Sequence, residues 1–142
     1  MSLYQTFKTD ADLEQNGVTI NYGPNSKGVD QKFFVRRAGG SNKQFGKLMS
    51  AKMRPYRKQI GSGTMPESIA ERIVREVYAE AVVIRFEGIE VPVGDGQFED
   101  LPYSVENCIK LFTDLPDFFA DLREQCGDVA IFREDLEEAA KN

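Results

Sequence analysis

The chain has 142 residues, 41% of them hydrophobic and 29% charged, with a net charge of -5. That composition fits one soluble globular domain over residues 1–142 and excludes collagen-like and wholly disordered chains. The longest apolar stretches, such as Ala79 to Ile84, fall far short of the roughly 20 residues of a spanning helix. The start, Met-Ser-Leu-Tyr-Gln, carries neither a basic opening nor an apolar run of signal length, so the expectation is life in the cytoplasm.

Charge is segregated along the chain. Residues 27–60 hold ten Lys or Arg against Asp30 alone, whereas residues 61–142 hold seven basic and nineteen acidic side chains. There is no histidine, which removes Ser-His and Cys-His nucleophile pairs and most zinc sites. Cys108 and Cys126 form no CxxC and fall within apolar helical patterns, so they read as small core residues in a reducing compartment. No enzyme activity and no cofactor is expected.

In chain order, alternation of Val18, Ile20 and Tyr22, and of Phe33 and Val35, around Gly23-Pro-Asn-Ser-Lys-Gly28 predicts a β-hairpin over residues 18–37. Gly39-Gly40 breaks the chain, and Ser41 with Gln44 reads as a capping box for a helix from about Asn42. There Phe45, Leu48, Met49, Met53 and Tyr56 recur at helical spacing, leaving Lys43, Lys47, Arg54, Arg57 and Lys58 on the other side. Pro55 predicts a kink or an early stop. A second capping box, Thr64 to Glu67, starts the longest predicted helix near Met65, with Ile69, Ile73, Val77, Ala81 and Ile84 along one stripe and an end near Gly88.

Residues 89–103 read as a surface connector with a turn signal for a small hairpin at Gly94-Asp95-Gly96. Ser104 caps a helix from Val105, Pro116 starts another near Leu115, and Gly127 stops it. Asp128 opens a last helix with Val129, Phe132 and Leu136 inward and Glu134, Asp135, Glu137 and Glu138 outward. The expected class is therefore α+β and helix-dominated: about five helices over residues 42–140 with a small N-terminal β-hairpin, nearly all-α if the hairpin fails to form.

Candidate chemistry is thin. Neighbouring carboxylates such as Asp114 and Asp117 sit at helix starts, where dipole compensation explains them. Asp95-Gly96 lacks the rest of a calcium loop, and Gly39-Gly40-Ser41 lacks Walker spacing. The basic segment, interleaved with Phe33, Phe34, Phe45 and Tyr56, is one footprint of nucleic-acid binding. Its aromatics fall at core positions, so contact with acidic protein ranks above nucleic acid.

The ordered set Arg37-Ala-Gly-Gly-Ser-Asn-Lys-Gln-Phe45, Arg54-Pro-Tyr-Arg57, Gly63-Thr-Met65 with Ala79 to Val83, and Leu101 to Asp117 resembles the tail assembly chaperones of long-tailed, siphophage-type bacteriophages. The resemblance runs from about Phe7 to Lys141, and its most telling part is Pro102-Tyr-Ser, Glu106-Asn107 and Leu115-Pro116-Asp117. It implies a non-enzymatic assembly factor of the host bacterial cytoplasm that binds the tape measure protein, assists tail tube subunits and leaves the finished tail. It also implies a frameshifted, longer second product, and Ala140-Lys141-Asn142 is compatible with slippery codons. A chaperone for helices should offer adaptable apolar side chains, for which Phe45, Met49, Met53 and Met65 are the candidates, rimmed by Lys47, Arg54 and Arg57. The alternative is a nucleic-acid-binding accessory protein using residues 27–60.

Overall fold

A computed structural model describes residues 1–133. Two short helices that periodicity did not predict come first. The capping box at α1 (Leu3–Phe7) is formed by Ser2 and Gln5, and Asp10 caps α2 (Ala11–Asn16) by accepting from the backbone N–H groups of Asp12 and Leu13. Gly17, at φ 104°, then turns the chain past Ile84 and the Val35 carbonyl, where a Cβ would sit 2.6 Å from Ile84 Cδ1.

The predicted hairpin forms as β1 (Val18–Pro24) and β2 (Asp30–Val35), antiparallel, with Val18 opposite Val35 and Ile20 opposite Phe33. Period two places Ile20, Phe33 and Val35 on one buried face. The turn is held by Asn25, whose side-chain oxygen accepts from the N–H groups of Lys27 and Val29.

The hairpin does not stand alone, and this overturns the helix-dominated expectation. β3 (Val83–Glu87) pairs antiparallel with β2, Phe33 opposite Phe86, to make a sheet of order β1-β2-β3. A second antiparallel sheet is formed by β4 (Glu90–Gly94) and β5 (Gln97–Asp100) around the turn signalled by Gly94-Asp95-Gly96. The class is α+β with two antiparallel sheets and five strands among the described residues, extending well beyond an N-terminal hairpin.

The long helix expected to reach Gly88 is accordingly shorter. It is α5 (Glu67–Val77), followed by a π-helical turn over Tyr78–Val82 that runs directly into β3. The stripe holds as far as Ala81, which clusters with Ile73 and Val77. The wider turn then lets Tyr78, Ala79, Ala81 and Val82 all be buried. Beyond it the chain from Val83 to Glu87 takes up extended pairing against β2, with a bulge at Ile84. The buried Asn42 side chain donates to the Ala81 and Arg37 carbonyls, satisfying a group freed where the helix unwinds.

Neither capping box after residue 40 is formed. α3 (Lys43–Met53) has Asn42 at its N-cap with no side-chain cap bond, because that side chain is engaged elsewhere. α5 begins after an extended Pro66, with Thr64 too far back and bonded to the Ser62 hydroxyl. Pro55 does interrupt the helix: a 3-10 turn, Arg54–Tyr56, separates α3 from α4 (Arg57–Ser62), which ends on Gly63 at φ 72°. α6 (Val105–Asp114) is capped by Ser104 and α7 (Pro116–Gly127) opens on Pro116. Gly127 is the last residue of α7, not a left-handed cap. Where a helix is expected from Asp128, the described residues form a 3-10 turn, Val129–Phe132, after which Arg133 is extended and bridges Thr9. The expectations for Leu136, for the acids from Glu134 to Glu138 and for Ala140 to Asn142 lie outside the described residues.

The main core lies between the inner face of β1-β2-β3 and helices α6 and α7, built around Phe33, Val35, Phe112 and Leu122 with both cysteines. Burial pushes the Cys108 and Cys126 thiols up to about 12. Because the thiolate is the reactive form, neither should be alkylated by iodoacetamide at about pH 8 in the folded protein, and both should react in denaturant. Mass spectrometry of the adducts checks this, and native labelling would contradict the packing.

Candidate functional site

The residues expected to bind a partner divide between the seam of α3 with α5 and the exposed outer side of α3 and α4. Met49, Met53 and Met65, with Leu48, Tyr56 and Ile69, are half-buried against Ile73, Val77 and Ala81, forming a seam between α3 and α5. Phe45 bridges this seam and the main core, its ring edge-on to Tyr78 at 5.5 Å. The three methionines thus meet in the seam between α3 and α5.

Lys47, Arg54 and Arg57 lie elsewhere. Together with Lys43 and Lys58 they are exposed, and the i, i+4, i+11 spacing of Lys43, Lys47 and Arg54 aligns them along the outer face of α3. None of the five forms an ion pair among the described residues. The cation that turns inward does: Lys52 Nζ lies 3.2 Å from Glu76 and 3.3 Å from Glu80. Burial lowers the Lys52 pKa, but its bonds to Glu76 and Glu80 outweigh that and raise it. Tyr56 accepts a hydrogen bond from Arg72, which also reaches Glu76. The α3-α5 seam is therefore apolar within and ion-paired along one edge, under an outer face of uncompensated positive charge.

Sequence reasoning missed two clefts because each is lined by segments far apart in the chain. One lies between the sheet and the α6-α7 corner, lined by Tyr22, Gln31, Phe33, Ile89, Leu115 and Phe118. At its side the Tyr22 hydroxyl donates to Asp121 at 2.9 Å, and burial foremost, then Asp121, raises its pKa. The other lies between α5 and α7, lined by Glu67, Glu71 and Arg75 of α5, by Phe119 and Arg123 of α7 and by Phe112. The Arg75 Nε is buried there with no hydrogen-bond partner among the described residues.

No group of three His, Cys, Asp or Glu among the described residues is placed to hold a metal ion. The two clefts and the outer side of α3 present apolar and charged side chains.

Comparison with known proteins bears on origin. No curated protein and no solved structure matches the chain. Residues 40–142, well over half of it, match the family model described as YdaY prophage protein, and they include α3 to α7, the cleft between α5 and α7 and the basic face. The chain belongs to the YdaY prophage protein family and is of phage origin.

Proposed function

We propose that this phage protein is a tail assembly chaperone that holds helical segments of the tape measure protein and assists the assembly of tail tube subunits around it. Its prophage family and the ordered motifs from Arg37 to Asp117 support the reading. The observation that carries it is the seam, where three of the four methionines lie half-exposed beside a helix already broken at Pro55. Unbranched thioether side chains repack around different partners at low cost, which suits a chaperone for repetitive helices. The protein acts by binding, in the host bacterial cytoplasm, and leaves before the tail is complete.

Co-expression with the tape measure protein of the same prophage tests this. The expected result is a soluble complex that co-purifies, weakened at least about tenfold by Met49→Asp with Met53→Asp, since two desolvated apolar anchors are lost. A tape measure protein equally soluble without this chain would overturn the reading.

The uncompensated face of Lys43, Lys47, Arg54, Arg57 and Lys58 favours a second reading, a nucleic-acid-binding accessory protein. Phosphate binding there would weaken steeply with salt as counterions are released. Under the chaperone reading, no shift of duplex or single strands is expected at physiological salt. Sub-micromolar, salt-sensitive binding abolished by Lys47→Glu with Arg57→Glu would put the second reading first.

A further inference from the structure

We infer that the β4-β5 hairpin docks on the basic outer face of α3 and α4 of a second copy of this chain, joining copies head to tail. β4 and β5 pair with each other and join neither β1, β2 nor β3, so each presents a free edge. A two-stranded ribbon on its own is marginally stable, and every residue from Pro92 to Asp100 is exposed. Val93 and Phe98 remain 53% and 43% exposed. Apolar side chains on a free ribbon edge are features that a docking partner covers.

Charge identifies the partner. No Lys or Arg occurs between Arg85 and Lys110, while the hairpin carries Glu90, Asp95, Glu99 and Asp100. Its root is tied down within the chain: Ser26 donates twice to Glu90, and Lys27 lies 3.4 Å from Asp100. Asp95 and Glu99 at the outer end have no ion-pair partner among the described residues, and neither have the five cations along α3 and α4. With a net charge of -5, two copies repel each other over most of their surfaces. The basic face is where an acidic neighbour can approach, and every copy supplies the matching hairpin at equal concentration.

The two surfaces differ, so the contact is heterologous. It propagates into a ring or an open array and does not close as a two-fold dimer. The inference stands independently of the tape-measure reading, although a repeating array would suit a long client.

Sedimentation of the full chain tests it, from about 10 µM to about 0.5 mM protein, at ionic strengths of roughly 0.05 M and 0.5 M, where screening changes most. At low salt the mass should rise above 16.0 kDa with concentration, and at high salt it should return to 16.0 kDa. Asp95→Asn with Glu99→Lys alters the hairpin, asparagine being suited to the φ of 51° at that position. Lys47→Glu with Arg54→Glu alters the helix face. Each pair should weaken self-association at least about tenfold while circular dichroism is unchanged, and an equimolar mixture of the two variants should recover it. A mass of 16.0 kDa under every condition, association persisting in either variant, or no recovery on mixing overturns the inference.

Discussion

Replacing Phe119 by alanine is expected to lower the free energy of unfolding by about 3 to 5 kcal/mol, through lost transfer energy and the cavity left behind. The ring is 6% exposed and stacks on Phe112 at 4.3 Å between centroids, with an interplanar angle of 24°. Tyr78 meets it edge-on at 5.5 Å, and the Arg123 guanidinium lies 4.6 Å from its centroid. Its neighbours come from α6, the π-helical turn and α7 itself, so no single side chain can swing in to refill the space. Urea unfolding followed by circular dichroism measures the change. A loss below about 1 kcal/mol would mean that the site collapses freely.

Glu14→Ala is expected to cost a similar amount, about 3 to 5 kcal/mol, because removing one member of a buried pair strands the rest. Glu14 is 2% exposed. Its carboxylate accepts from the Thr9 hydroxyl at 2.6 Å, from Arg37 Nη1 at 3.0 Å and from the Ser41 backbone N–H at 3.0 Å. Its own carbonyl accepts from the Arg37 N–H at 3.0 Å. One side chain thus ties α2 to the end of the sheet and to the loop that launches α3. Gly40 lies against it at φ 54°, where any Cβ would collide with the carboxylate and with Arg37, so Gly40→Ala should disrupt the same network from the loop side.

The network also predicts a pH dependence. Burial pushes the Glu14 pKa up, but the bonds from Thr9, Ser41 and Arg37, with the charge of Arg37, outweigh burial and hold it below its ordinary value. The unfolded chain therefore takes up this proton first as pH falls. The contribution is fully present above the unfolded value of about 4.3 and drains away as pH drops through the lower folded value. Unfolding midpoints of the protein and of Glu14→Gln, measured across this range, should converge with acidification. A constant gap would show that charge at Glu14 is not what holds the loop.

Features carried by a few adjacent residues were legible without the structure. Alternation around Gly23 to Gly28 predicts β1 and β2, Ser104 predicts the start of α6, Pro116 that of α7, and Pro55 the break after α3. The placement of Leu48, Met49 and Met53 on one side of α3, with Lys47 on the other, likewise follows from 3.6-residue periodicity. Fold class did not follow, because Ala81 and Ile84 extend the helical stripe of Val77, while Val83 and Phe86, three residues apart, are both buried in a strand only through the bulge between Val83 and Arg85.

By itself the sequence determined the β1-β2 hairpin, the starts of α6 and α7, the break at Pro55, the segregation of charge and the absence of histidine, since these depend on a few adjacent residues or on composition. Tertiary structure alone decided that β3 is a strand, because its hydrogen bonds are supplied by β2, which is about fifty residues earlier in the chain. It decided as well that Glu14 is a buried anchor and not another surface carboxylate, for its donors come from Thr9, Arg37 and Ser41 and exist only once the sheet and α3 have met. A strand edge and a desolvated charge both depend on partners distant in the chain, and no local pattern records where those partners will lie.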